Sequence, residues 1–139
     1  MRKVVIDTNV FISSFFGGIP RQIIDCWKTG TITLCVSQPI IEEYIEVLNR
    51  LGLKDKNEIQ TLTQLFAEGF HSIFTAKTPD LDVVEDDPDD NKFIECAVAL
   101  DCKIIISRDK HLRNVKKYID IDILSPNDFM KFRPDPGCW

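Results

Sequence analysis

The sequence predicts an α/β domain of three layers, α/β/α, built on a mostly parallel central sheet of four to five strands. Three observations predict it. The apolar runs Val4-Val5-Ile6 and Ile104-Ile105-Ile106 are short and do not alternate, as expected of strands buried on both faces. Such runs alternate along the chain with stretches of helical character, the pattern of a parallel sheet covered by helices. Both runs also end at polar, acidic residues, Asp7-Thr8-Asn9 and Ser107-Arg108-Asp109. In open α/β sheets the ligand crevice lies beyond the carboxyl ends of the strands, so two carboxylates delivered there suggest a shared site.

In chain order, residues 3–6 form the first strand and 20–28 a helix with Pro20 in its first turn, where the missing N–H costs nothing. Residues 32–36 form the second strand, followed by helices over 39–51 and 56–70 and a weaker strand over 72–76. The acidic, proline-containing segment 81–89 is a loop that feeds a helix over 88–100, with Pro88 at the first helical position and Asp87 as its cap. A strand over 104–107 and a helix over 110–115 come next. Ile121-Asp122-Ile123 alternates, so the strand over 121–124 has one wet face and is placed at the border of the sheet. A short helix over 127–131 ends the domain, assigned to residues 1–132. Residues 133–139, with two prolines and a glycine, form a flexible tail.

Composition narrows the function. A chain of 139 residues with 44% hydrophobic content has length for one real core and one domain. With a formal net charge of -5, no broad basic face for gripping nucleic acid is visible, so any such affinity must come from a local patch, a metal or a partner. Lys110, Arg113, Lys116 and Lys117 are candidate contacts, with a solvated helix face as the plainer use. The five cysteines are odd in number and show neither a C-x-x-C pair nor zinc spacing, which fits reduced thiols in a cytoplasmic protein. Cys35 and Cys96 lie in apolar runs and are expected in the core. Arg2-Lys3 is followed by only three apolar residues before Asp7, so no signal peptide is expected, and no apolar stretch has the length of a membrane span.

Which acids matter follows from helix geometry. At a hundred degrees per residue, Ile40, Tyr44, Leu48 and Leu51 form the apolar stripe of the helix after Ser37, with Ile41 and Val47 on its flanks. Glu43 falls on the border of that stripe, whereas Glu42 points away with Glu46 and Asn49. A carboxylate at the edge of a buried face needs a partner, either a metal or a salt bridge. In the segment Glu85-Asp86-Asp87-Pro88-Asp89-Asp90, Asp90 aligns with Phe93, Ile94 and Ala97 on the inward face. Asp89 is one residue of register away and competes with it. Asp86, Asp87 and Asp89 are better explained as first-turn acids that complement the helix dipole. Asp7, Glu43, Asp90 and Asp109 are thereby directed to a common sheet edge, with no basic neighbour evident. Gathered carboxylates repel one another, and a divalent cation removes that repulsion. All-oxygen ligation favours Mg2+ or Mn2+ over zinc. His71 and His111 do not fall at ligating positions; His111 is expected in an exposed loop, with a phosphate contact as the alternative.

At these residues the chain resembles the PIN domain family, and within it the VapC-like toxin ribonucleases, over nearly its whole length from Val4 to Phe132. The resemblance is carried by four motifs in order: Val4-Val5-Ile6-Asp7-Thr8-Asn9-Val10, Ser37-Gln38-Pro39-Ile40-Ile41-Glu42-Glu43, Asp86-Asp87-Pro88-Asp89-Asp90-Asn91-Lys92-Phe93 and Ser107-Arg108-Asp109-Lys110-His111-Leu112. Ser107 replaces the family's more frequent threonine, and Arg108 stands where small residues are common. The resemblance implies Mg2+- or Mn2+-dependent hydrolysis of RNA phosphodiesters by an acidic quartet of Asp7, Glu43, Asp90 and Asp109. Asp7, Asp90 and Asp109 would hold the metal, and Glu43 would hold its water and accept a proton. Asn9, Ser107 and Thr8 would support the carboxylates, with Lys110 and Arg113 as possible RNA contacts. It further implies a homodimer and a small antitoxin protein as partner. Phe11, Phe15, Phe16 and Ile19 are candidates for such an interface, with core packing as the alternative for at least half of them.

Three other classes are open at this stage. A PIN-fold scaffold would bind RNA or a partner without cutting. A phospho-acceptor receiver domain has similar length but begins with adjacent acids, where this chain has only Asp7. A haloacid-dehalogenase-like phosphatase begins Asp-x-Asp, which Asn9 interrupts.

Overall fold

The computed structural model describes residues 2–52, 57–85 and 87–131. Six strands, β1 (Arg2–Ile6), β2 (Ile32–Ser37), β3 (Ser72–Thr75), β4 (Ile104–Ile106), β5 (Lys117–Tyr118) and β6 (Ile121–Leu124), form one sheet in the order β3-β2-β1-β4-β6-β5. Every pairing is parallel except that of β5 with β6. The chain runs outward from β1 through β2 to β3, then crosses back to lay β4 on the other side of β1. The border between β1 and β4 is therefore the topological switch point, where α/β sheets open a crevice.

Helices flank the sheet: α1 (Thr8–Ser13), α2 (Gly18–Lys28), α3 (Gln38–Arg50), α4 (Asn57–Ala67), α5 (Asn91–Ala99), α6 (Lys110–Val115) and α7 (Pro126–Lys131). Helix α5 packs on β1, β2 and β4, while α2 packs on β2 and α7. Val4, Val5 and Ile6 are completely buried between these layers, and each such side chain contributes about 1.5–3 kcal/mol relative to exposure. Cys35 and Cys96 are equally buried, as expected of core fillers. Gly30 turns with φ +81, and a side chain there would meet His71 Nε2 at 2.6 Å, so the bend into β2 requires glycine.

Several expectations need correction. The strand over 121–124 is not the border of the sheet, because the two-residue β5 pairs outside it. Helix α1 was not expected: Thr8–Ser13 carries β-branched and aromatic residues that read as neither period, yet Asp7 caps it and a 3₁₀ turn at Ser14–Phe16 extends it. Pro88 opens a 3₁₀ turn (Pro88–Asp90) rather than α5 itself, which begins at Asn91. Leu51 ends the α3 stripe in solvent, 53% exposed, whereas Ile40, Tyr44 and Leu48 are buried as predicted. Phe11 and Phe15 are core residues and only Phe16 projects, 69% exposed. His111 lies half-buried in α6 rather than in an exposed loop. The predicted helix start at Lys56, Asp86, Cys138 and the tail over 133–139 lie outside the described residues.

Candidate metal centre

Asp7 follows β1, and its backbone N–H extends the ladder to β4 by donating to the Ile106 carbonyl at 3.0 Å. Its side chain then does two things. Oδ1 caps α1, accepting from the Val10 N–H at 2.9 Å, and Oδ2 accepts from the Ser107 hydroxyl at the end of β4. Only 3% of Asp7 is exposed. Burial lifts its pKa from 3.8 to about 6; the hydrogen bonds from Ser107 and Val10 pull it down, and the charges of Asp109 and Glu43 push it up. Asp109 mirrors Asp7 from the neighbouring strand: Oδ1 caps α6 through the N–H groups of His111 at 2.9 Å and Leu112 at 3.2 Å. Its own N–H donates to Ser107 Oγ at 2.9 Å, so one serine ties both strand-end acids together.

Glu43 reaches the same cleft from α3, whose start is fixed by the Ser37 hydroxyl accepting from Ile40 N–H at 3.4 Å. Its Oε2 accepts from the Thr8 hydroxyl and its Oε1 from Lys92 Nζ at 2.7 Å. Lys92 is the basic neighbour that the linear pattern did not reveal, and the ion pair considered for Glu43 does form. Burial opposes the Lys92 charge, but the Glu43 contact and the Asp89 carboxylate at 3.4 Å outweigh it and raise the ammonium pKa. Tyr44, next to Glu43, anchors α3 by donating its buried hydroxyl to the Ile6 carbonyl.

Asp87 and Asp90 approach from the 3₁₀ turn. Neither uses its side chain as a cap, which corrects the expectation of a capping role for Asp87. The turn is held instead by buried Asn91, which accepts from the N–H groups of Val83 at 2.9 Å and Val84 at 2.8 Å and donates to Pro88 O at 3.0 Å. Asp90 Oδ2 is buried and has no hydrogen-bond partner among the described residues. Burial, followed by the charges of Asp109 and Asp87, pushes the Asp90 pKa up to about 7. One carboxylate oxygen from each of Asp87, Asp90 and Asp109 lies within 4.8 Å of the other two. Asp89 projects outward, its side chain 77% exposed, whereas Asp90 lines the cleft.

The cleft, about 190 Å³, is lined by Asp7, Thr8, Asn9, Glu43, Asp87, Asp90 and Asp109, with Val47, Phe93 and Arg50 completing its walls. The predicted quartet is thus brought together with Asn9 and Thr8, and Ser107 lies buried behind it. Lys110 and Arg113 are exposed on α6 and do not line the cleft. Asp87, Lys92 and Arg50 were missed. Arg50 had a signal, since Glu43, Val47 and Arg50 share one face of α3 at spacings of four and three.

The family model described as PIN domain matches residues 3–111. The chain belongs to the PIN domain family. It is also 34% identical over 144 residues to the uncharacterized protein MJ1680 of Methanocaldococcus jannaschii, a match covering 93% of this chain and 90% of that protein. PIN domains are typically metal-dependent nucleases. The residues of this PIN domain fit a hard divalent cation: the donor set is all carboxylate oxygen, and Asp90 Oδ2 is a buried acceptor with no donor, which such an ion would satisfy. No helix among the described residues is long and apolar enough to cross a membrane.

Proposed function

We propose that this PIN domain is an Mg2+- or Mn2+-dependent endoribonuclease and the toxin of a toxin-antitoxin pair. The observation that carries the nuclease reading is the grouping of Asp87, Asp90 and Asp109, of which Asp90 has a buried oxygen without a hydrogen-bond partner among the described residues. Asp87, Asp90 and Asp109 would hold the ion, with Asp7 beside them in the same cleft as a further carboxylate ligand. When bound, the cation supplies Lewis acidity, lowering the pKa of a water and offsetting charge that develops on the scissile phosphate. Ser107 and the Val10 N–H fix the Asp7 rotamer, and Ser107 sets the Asp109 backbone at the same time. Glu43, Thr8 and Asn9 form the facing wall against which the attacking water is oriented. Arg50 supplies a cation at the rim of a chain whose net charge is -5, where an approaching phosphate needs one. The toxin role, the small antitoxin and a homodimeric state are supported by the four sequence motifs.

Incubation of the purified protein with a mixed-sequence single-stranded RNA, with Mg2+, Mn2+ or excess chelator, tests the activity. Internal cleavage that needs the metal is the expected result. RNA binding without any metal-dependent product would establish a scaffold instead, and full metal-stimulated cleavage by Asp7→Asn would sink the assignment of the site.

A further inference from the structure

We propose that Lys92 restricts this cleft to a single divalent cation by engaging Glu43; this rests on the metal-dependent reading above. Two-cation sites hold their ions about 3.5–4 Å apart and need two sets of anionic oxygens. One set is present as Asp87, Asp90 and Asp109. Among the described residues that line the cleft, a second would need Glu43, with Asp7 shared between the two ions. Both Glu43 oxygens are occupied by the chain's own donors, Lys92 Nζ at 2.7 Å on Oε1 and the Thr8 hydroxyl on Oε2. An ammonium in contact with Glu43 repels a second cation there, and it supplies the countercharge that such a cation would otherwise bring.

The direction of approach supports this. Lys92 lines a neighbouring depression with Pro39, Asp80, Asp89 and Glu95, not the acidic cleft, so its ion pair with Glu43 does not compete for the space the first cation takes. Its side chain is 15% exposed and is steadied from outside by Asp89. Lys92 is therefore a positioning residue: it commits Glu43 to the wall and leaves one carboxylate set for metal.

Mn2+ titration of the full chain, followed by electron paramagnetic resonance and calorimetry, reads the stoichiometry directly. Wild type and Lys92→Arg should bind one Mn2+ per chain, and Lys92→Met should bind two. Glu43→Gln should still bind one, with an affinity change below the roughly tenfold at which loss of an orienting partner begins to tell. Two ions in wild type, one ion in a Lys92→Met variant that circular dichroism shows folded, or loss of binding in Glu43→Gln would each overturn the inference. Should Lys92→Met not fold, Lys92→Gln, which removes the charge but keeps a polar side chain beside Glu43, should bind two Mn2+, and one ion in that folded variant would overturn the inference. No Mn2+ bound to wild type would instead overturn the metal-dependent reading itself.

Discussion

The two walls of the acidic cleft are built on opposite plans. On the wall of Asp7 and Glu43, every carboxylate oxygen accepts a hydrogen bond from the chain: Val10 and Ser107 on Asp7, Thr8 and Lys92 on Glu43. On the wall of Asp87 and Asp90, neither side chain caps its turn, and Asp90 Oδ2 is buried with no donor. Asp109 stands between them, with Oδ1 committed to the α6 cap. Since a buried acceptor left without a donor costs about 1–3 kcal/mol, the second wall is unfinished as a purely protein structure. The first wall presents its carboxylates in fixed positions, and the second adds the unsatisfied oxygen that a cation would complete.

The largest effect should come from emptying the unfinished wall. Asp90→Asn is expected to lower RNA cleavage by at least about a hundredfold, the upper end of what loss of a mere orienting partner costs at a metal site. A decrease of only a few-fold in a turnover assay would mean that Asp90 does not hold the ion.

Asp7→Asn separates stability from activity on the framed wall. Because burial holds the Asp7 pKa at about 6 rather than 3.8, the ionised Asp7 costs the metal-free fold on the order of 3 kcal/mol at neutral pH. The amide can still accept from Val10 and can donate to Ser107. In chelator at pH 8 the variant should therefore melt several degrees above wild type while cleaving no RNA, and the difference should vanish near pH 4. Equal melting temperatures at pH 8 would show that Asp7 carries no burial penalty.

The pH dependence has a definite sign. Asp7 and Asp90 have folded pKa values of about 6 and about 7, above their ordinary 3.8, so between these limits the folded chain binds more protons than the unfolded one. The contribution of these two groups to the stability of the metal-free protein accordingly falls as pH rises from about 4 to about 7, and then levels off. A cation competes with those protons. Addition of Mn2+ should raise the melting temperature more at pH 8 than at pH 5.5, and a shift independent of pH in calorimetric scans would contradict binding at these carboxylates.

Two smaller changes sharpen the contrast. Tyr44→Phe removes the buried hydroxyl that holds α3 to Ile6 and should cost about 1–2 kcal/mol in urea unfolding, with Mn2+ affinity unchanged. Asp89→Asn, at an exposed position, should shift stability by no more than about 0.5 kcal/mol and leave cleavage intact. A large loss of activity there would return Asp89 to contention for the site.

Much of this was legible in the sequence, for identifiable reasons. Strand ends and helix facing are local properties with fixed periods, so Asp7, Asp109 and Glu43 could be placed from the runs that flank them, and Asp90 from its alignment with Phe93 and Ile94. The pairing of Lys92 with Glu43 was not legible, because the residues stand 49 apart in sequence and meet only when α5 packs near α3. Asp87 was misread because proline at the next position is a strong cap signal. The structure spends that signal on a 3₁₀ turn held by Asn91, which frees the Asp87 carboxylate. Helix α1 escaped because its six residues are too few to display a period.

The bond from Ser107 to Asp7 joins residues 100 positions apart. During synthesis the N-terminal acid is therefore made first and waits, without its hydroxyl partner or its neighbouring strand, until β4 and Ser107 have left the ribosome. A chain interrupted before that point carries Asp7 and Glu43 but lacks Asp109, so the carboxylate set is complete only after residue 109 has been made. A copy that ends before Asp109 lacks one of the three clustered carboxylates and the strand that sets its position.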